Sequence, residues 1–202
     1  MPNSERSSGR TFDRSYGVTT HAILFLSDLD PDQIGDAGAH ATHYEAVPPR
    51  DFRALISHVP ERTMRSSTFV DVGAGMGRAL LLAAEYPFKQ VAGIELSAGL
   101  YEIASENLAR ARTAKRACHD LRITRADARF WEYPPGDLVV FLFNPFDAVA
   151  LEATLGAIRA RHRCGETWIV YHTPVERAVL EASDGWKLRA EIPSGIVGTL
   201  SP

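Results

Sequence analysis

A glycine-rich turn between a strand and a helix constrains the fold of this chain more than any other sequence feature. The run Val70-Asp-Val-Gly-Ala-Gly-Met-Gly77 follows the β-rich stretch Thr68–Val72 and leads into the Ala- and Leu-rich stretch Ala79–Tyr86. Its three glycines allow the backbone to turn sharply and let a ligand approach without obstruction by Cβ atoms. Such glycines can also serve packing alone, so the turn by itself leaves the presence of a ligand open.

After this turn the sequence alternates between strand-like and helix-like segments, as in a parallel sheet covered by helices. The wholly apolar run Leu138–Phe143 is typical of a central strand buried on both faces. The turn Pro193-Ser-Gly195 favours an antiparallel hairpin at the end. The other predicted strands are Thr68–Val72, Gln90–Glu95, Leu121–Arg125, Thr167–Tyr171, Trp186–Ile192 and Ile196–Leu200. We therefore predict an α/β, Rossmann-like fold with a seven-stranded, mostly parallel sheet, helices on both faces and a C-terminal antiparallel hairpin.

The sequence before the alternating part has a different character. Residues 1–11 are rich in Ser, Asn, Gly and charge, and we predict a disordered tail there. Residues 12–66 are predicted to form an N-terminal helical extension or cap, with the short apolar run at 21–26 fitting either a helix or a strand. A helix is expected over residues 50–59, where apolar residues recur on one face at Phe52, Leu55, Ile56 and Val59. Residues 67–202 would form the ligand-binding domain.

Composition and charge narrow the partners and the compartment. The chain has 202 residues, 45% of them hydrophobic, and its net charge of -3 argues against nucleic acid as a partner. Cys118 and Cys164 lie far apart and metal-ligand spacings are absent, so we expect no metal, no disulfide and a reducing, cytoplasmic compartment. The sequence contains neither a signal-peptide core nor 18 consecutive apolar residues, so no membrane association is expected.

A carboxylate at the end of the second predicted strand indicates what the glycine turn binds. Glu95 lies 22 residues after Gly73 and would reach the same crevice, where it can accept hydrogen bonds from both hydroxyls of a ribose. We therefore predict that the crevice binds an adenosine-type cofactor. A dinucleotide fingerprint counted from Gly73 requires glycine at position 78, where Arg78 stands. A nicotinamide-dependent oxidoreductase is therefore kept as an alternative that this position disfavours.

The spacing Asp-x-Gly-x-Gly-x-Gly over 71–77, taken with Glu95, resembles the first two motifs of class I S-adenosylmethionine-dependent methyltransferases. The resemblance covers residues 69–200. It implies S-adenosyl-L-methionine as cofactor and methyl transfer to an unidentified acceptor, either a small molecule or a protein. A module that binds the cofactor without catalysing transfer is the other alternative.

The resemblance also implies the roles of individual residues. Asp71 would help hold the methionine ammonium group, Glu95 would hold the ribose, and Leu96 would pack on the adenine. Asp127 resembles the acid that meets the adenine amino group, although an ordinary turn or helix cap is the alternative. The implied cofactor-binding residues are Asp71, Gly73, Gly75, Gly77, Glu95, Leu96, Asp127 and Ala128.

A short polar and aromatic motif follows the central apolar strand. In this family the position often carries Asp or Asn, two prolines and an aromatic residue that receive a substrate nitrogen; Asn144-Pro-Phe146 has one proline fewer. We predict Asn144 as the catalytic residue, because a carboxamide oxygen there can accept an N–H of the acceptor. Pro145, Phe146 and Tyr44 are predicted to bind the substrate. The alternatives are that Asn144 caps the next helix and that Tyr44 is merely solvated.

A narrower resemblance concerns a group of small bacterial methyltransferases without an assigned substrate. It is carried by the runs Phe12-Asp-Arg-Ser-Tyr-Gly-Val-Thr19, Thr42-His-Tyr-Glu45, Gly77-Arg-Ala-Leu-Leu-Leu-Ala83 and Phe143-Asn-Pro-Phe146. Membership implies that the first 60 residues fold over the cofactor cleft.

Overall fold

The computed structural model describes residues 2–21, 23–25, 43–112, 116–162 and 164–201. The helices are α1 (Pro2–Tyr16), α2 (Pro49–Ile56), α3 (Glu61–Ser66), α4 (Arg78–Ala83), α5 (Ala98–Arg110), α6 (Ala148–Ala160) and α7 (Arg177–Glu181). The strands are β1 (Ile23–Phe25), β2 (His43–Glu45), β3 (Thr68–Val72), β4 (Gln90–Glu95), β5 (Leu121–Arg125), β6 (Gly136–Phe143), β7 (Cys164–His172), β8 (Trp186–Ile192) and β9 (Gly195–Leu200). Within these ranges no helix is long and apolar enough to cross a membrane.

Seven of the strands form one sheet in the order β5-β4-β3-β6-β7-β9-β8. The first five strands of this order are parallel, whereas β9 runs antiparallel to both β7 and β8. Every residue of β3 is buried, as expected of a central strand with helices on both faces. The predicted fold class, with its C-terminal hairpin, is confirmed.

The predicted boundaries agree best where an apolar run is bounded by turns. β3, β4 and β5 match their predicted limits, whereas β6 and β7 begin at Gly136 and Cys164, before the apolar residues that revealed them. The run at 21–26 contains the strand β1, which pairs with β2. The predicted helix at 50–59 is α2, and the short helix α3 was not predicted.

The residues before β3 share a hydrophobic core with the sheet. Phe52 of α2 lies 5.2 Å from Phe141 of β6 and 6.0 Å from Phe69 of β3, measured between ring centroids. Phe12 and Tyr16 of α1 stack on each other at 4.2 Å and belong to the same cluster of buried side chains. The extension is therefore built into the core.

The segment for which we predicted a disordered tail is helical in the structure from Pro2 onward. Local composition does not predict this helix, whose last turns are held by Phe12 and Tyr16 in the core and by the ion pair between Asp13 and Arg78. The carboxylate of Asp13 accepts hydrogen bonds from the backbone N–H groups of Thr20 and His21, both at 2.8 Å, which fixes the turn after α1.

Arg78, at the start of α4, ties the extension to the rest of the protein. The side chain is buried and donates to Thr20 Oγ1 at 2.7 Å and to the Val47 carbonyl at 3.4 Å. It also pairs with the Asp13 carboxylate at 3.3 Å and lies over the Phe12 ring at 5.2 Å. The position at which a dinucleotide fingerprint would have glycine thus carries a structural anchor.

Candidate functional site

The glycine turn has the backbone geometry that its sequence predicts. Gly73, Gly75 and Gly77 have φ of 78°, 53° and 86°, in the left-handed region that favours glycine. At Gly77 a Cβ would lie 3.4 Å from the Cβ of Ala104 in α5, an ordinary van der Waals distance, so the positive φ rather than lack of space favours glycine there. The loop therefore has the conformation that the three glycines predict, and α5 packs against its last glycine.

Two buried carboxylates lie beside this loop, at the ends of β3 and β4. Glu95 accepts hydrogen bonds from the backbone N–H of Gly75 at 2.7 Å and of Ser97 at 2.8 Å. Burial, and then the charge of Glu95, raise the pKa of Asp71 to about 8. Burial also raises the pKa of Glu95, against these backbone hydrogen bonds. Leu96 beside them is half-buried.

This arrangement fits the cofactor that the sequence implies. The Glu95 carboxylate accepts the backbone N–H groups of Gly75 and Ser97 and is stabilised further by that of Leu96, and a carboxylate has about four acceptor positions, so it can still receive a ribose hydroxyl. A cation placed beside Asp71 would offset the cost of ionising that buried group. A ligand carrying both an ammonium group and a ribose therefore matches what these two side chains need.

The third predicted cofactor-binding segment lies next to Glu95. The Ala126 N–H donates to the Glu95 carbonyl at 3.0 Å, which brings the end of β5 to the same edge. Asp127 accepts the backbone N–H of Arg129 at 3.0 Å and pairs with its guanidinium at 2.6 Å. The turn-capping role is thus present, and contact of Asp127 with adenine stays a prediction. Ala128 is buried beside it.

Asn144 lies at the end of β6 with φ of 42°, an uncommon conformation for a residue other than glycine. It does not cap the next helix: Asp147 is the N-cap of α6 and accepts the Ala150 N–H at 2.9 Å. Pro145 contacts the glycine loop, since a Cβ added at Gly73 would lie 2.9 Å from the Pro145 Cβ. The predicted catalytic loop and the predicted cofactor loop therefore touch.

A pocket of about 470 Å³ opens at the ends of β6 and β7. Its lining comes from the sheet edge, the β8–β9 turn and the extension: Phe143, Asn144, His172, Thr173, Pro193, Ser194, Glu45, Pro48, Arg50 and Asp51. Of the predicted substrate-binding residues, Phe146 instead packs on the core, and the side chain of Tyr44 lies outside the described part of the chain. The extension thus forms one wall of this pocket.

No family model matches the sequence, and no curated protein matches it. Solved structures do. A putative methyltransferase from Escherichia coli matches with a TM-score of 0.55 at 21% identity, covering 74% of this chain and 83% of the other. A putative S-adenosyl-L-methionine-dependent methyltransferase from Methanococcus maripaludis matches at 0.51 and 17% identity, covering 76% and 84%. This chain has the class I methyltransferase fold.

The 23S rRNA methyltransferase ErmE shares this methyltransferase fold, with a TM-score of 0.53 at 13% identity over 78% of this chain and 69% of the other. At such identities the likeness concerns the fold. Membership of the narrower bacterial group stays a prediction.

Sequence reasoning missed three residues that the methyltransferase fold brings to the pocket: Asp51, His172 and Thr173. The signal for the last two was available, since Thr173 follows a strand and precedes a proline, as Asn144 does. Thr173 also has a positive φ, of 48°. Asp51 could not be found in this way, because it meets His172 only through the packing of α2 against the sheet.

Proposed function

We propose that this protein is an S-adenosylmethionine-dependent methyltransferase. The observation that carries the proposal is the pair of buried carboxylates, Asp71 and Glu95, beside the glycine loop. Asp71 would hold the methionine ammonium group and Glu95 the ribose, with Asp127 near the adenine. The cofactor, when bound, supplies a methyl group that its sulfonium has already activated.

The protein's own task is then to align the acceptor and to exclude water. Asn144 would orient the acceptor by accepting an N–H on its carboxamide oxygen, which makes nitrogen the favoured site of methylation. The pocket volume of about 470 Å³ falls in the range for small-molecule ligands, which fits a small acceptor. The extension would act as a lid or fixed wall over this pocket.

The two alternatives to this proposal are a nicotinamide-dependent oxidoreductase and a module that binds the cofactor without catalysis. An oxidoreductase would bind NAD, whereas a methyltransferase or a binding-only module would bind S-adenosylhomocysteine. Isothermal titration with both ligands separates these readings. Transfer of a labelled methyl group to size-fractionated cell extract then separates catalysis from binding alone, and the fraction that carries the label distinguishes a small acceptor from a protein or RNA.

The Glu95→Ala variant should bind S-adenosylhomocysteine more weakly by about 1 to 3 kcal/mol, because the ribose loses a charged acceptor. Isothermal titration measures the change, and a thermal melt shows how much the loss of the backbone hydrogen bonds to Glu95 costs the fold. Glu102→Ala, at an exposed position of α5, is the matched control. Equal affinity in folded Glu95→Ala protein would refute the cofactor site.

Replacing Asn144 by Gly should lower the methyl-transfer rate about 10- to 1000-fold, because it removes an acceptor contact that strengthens as the nucleophile attacks. Glycine accepts the positive φ, so the fold should keep its stability or gain up to about 1 kcal/mol. Asp147→Ala offers the opposite result, a loss of about 1 kcal/mol from the missing cap with the rate retained. Single-turnover rates and thermal melts on both variants test this, and an unchanged rate in Asn144→Gly would exclude Asn144 from the active site.

A further inference from the structure

Three polar side chains of the pocket lie next to one another and have no role in the function proposed above. They are a carboxylate on α2, an imidazole at the end of β7 and the hydroxyl of the next residue: Asp51, His172 and Thr173. His172 is buried, with 6% of its surface exposed, whereas Thr173 is exposed at the pocket. The imidazole can therefore reach a pocket ligand most directly through the hydroxyl beside it.

Of the two links between these side chains, Thr173–His172 is at hydrogen-bond distance and His172–Asp51 is at ion-pair distance. The Thr173 Oγ1 lies 2.9 Å from Nδ1 of His172, and the His172 Nε2 lies 3.6 Å from the Asp51 Oδ2. With the ring proton on Nε2 facing Asp51, Nδ1 can accept the Thr173 hydroxyl proton. The imidazole packs edge to face on Phe143 at 4.3 Å, which fixes its orientation.

Thr173 holds this position in a strained backbone conformation. A β-branched residue at φ of 48° is an outlier, and such outliers persist where the surrounding fold imposes them, which is often at functional sites. The backbone is fixed by the Thr173 N–H, which donates to the Ser194 carbonyl at 3.0 Å. The β8–β9 turn thus holds the threonine hydroxyl on the ring of its own neighbour.

We propose that Asp51, His172 and Thr173 form a relay that deprotonates the methyl acceptor, and that the acceptor is a small amine that arrives as an ammonium ion. This inference rests on the proposed function. The carboxylates of Glu45 and Asp51 line the pocket and would attract a cationic acceptor. Arg50 also lines the pocket, and its positive charge acts against this attraction. Asp51 acts as a positioning residue that holds the imidazole and stabilises its protonated form.

The proton balance is simple. The ammonium group gives one proton to the Thr173 oxygen as the hydroxyl proton passes to Nδ1 of His172, which leaves a neutral amine with a free lone pair. That lone pair forms the new nitrogen–carbon bond, and the carbon–sulfur bond of the donor breaks with its electrons left on sulfur. The product keeps one positive charge, and the imidazolium returns its proton to water.

The first test compares Thr173→Val with Thr173→Ser, which differ in the hydroxyl. Valine has the shape and the backbone strain of threonine, so its loss of labelled-methyl transfer to the active extract fraction, by about 100-fold or more, would report the missing hydroxyl. Serine should restore most of the rate. Equal rates in the valine and serine variants would overturn the relay.

The second test follows the His172 imidazole by NMR as a function of pH, with no acceptor or cofactor needed. The Asp51→Asn variant should titrate His172 at a lower pH than the parent, since the protonated ring loses its anion. The pH profile of methyl transfer should shift by the same amount. Asp184→Asn, an exposed change at a residue that does not line the pocket, should shift neither.

The outcomes separate this inference from the function on which it rests. Failure of S-adenosylhomocysteine to bind the parent protein would defeat the proposed function. Binding retained in all variants, with the Thr173→Val rate unchanged or the His172 titration unmoved by Asp51→Asn, would overturn the relay alone.

Discussion

The Asp71→Asn variant is expected to be more stable than the parent protein above pH 7, with a gap that closes as the pH falls. Burial, with Glu95 nearby, raises the pKa of Asp71 to about 8, above its ordinary value of 3.8. Between these values the folded state binds more protons than the unfolded state, so the stability of the parent falls as the pH rises. Asparagine has similar size and no charge to bury, and its stability does not carry this dependence.

The expected gap is large. A slope of about 1.4 kcal/mol per pH unit over about four units gives a difference on the order of 5 kcal/mol at pH 8, and little difference near pH 4. Urea unfolding at several pH values measures it. The exposed Asp184→Asn change should show no such dependence. A constant difference between parent and Asp71→Asn across this range would show that Asp71 does not titrate as proposed.

The same group links cofactor affinity to pH. If the ammonium group of the cofactor sits beside Asp71, binding favours the ionised carboxylate and releases a proton below about pH 8. Affinity for S-adenosylhomocysteine should therefore rise with pH up to that value in the parent and lose this dependence in Asp71→Asn. The stability of the free protein and its affinity for the cofactor thus place opposite demands on one residue.

The Arg78→Ala variant should unfold about 3 kcal/mol more easily than the parent. The change leaves the Asp13 carboxylate, 15% exposed, without its cation, and it removes the hydrogen bonds to Thr20 and Val47. Urea unfolding gives the total loss. Limited proteolysis should show cleavage first within residues 12–21, because Arg78 anchors that segment.

Arg65→Ala is the matched control for this prediction. Arg65 pairs with Glu61 one turn away on α3, and both side chains are more than 60% exposed. Loss of that pair should cost about 0.5 kcal/mol or less. Equal losses in Arg65→Ala and Arg78→Ala would contradict the anchoring role of Arg78.

The sheet could be predicted from the sequence because each of its strands carries a local signal. The apolar run at 138–143 and the turn at Pro193-Ser-Gly195 give the central strand and the hairpin directly. Helix α1 could not be predicted in this way. Its sequence is polar on average, and the contacts that order it reach Arg78 and the core, more than 50 residues away.

The residues of the candidate site also divide into those with a local sequence signal and those placed by long-range contacts. The glycine turn, Glu95 and Asn144 could be proposed from motif spacing and strand ends. His172 and Thr173 required the same strand-end reasoning to be applied to the next strand. Asp51 required the packing of α2 on β7, which no local pattern contains. The glycine turn, Glu95 and Asn144 are thus encoded locally, whereas the approach of Asp51 to His172 arises from long-range packing.

The core shared by the extension and the sheet also bears on how the protein is synthesised. Phe52 packs on Phe141, so α2 leaves the ribosome about 90 residues before its partner strand exists. Until then only part of its apolar face has its native cover, supplied by earlier residues such as Phe69, and the remainder is a binding site for chaperones that hold nascent chains. Folding of the whole molecule should therefore wait for β6 to be translated, and slower translation between α2 and β6 should prolong the exposed state rather than help the extension to fold.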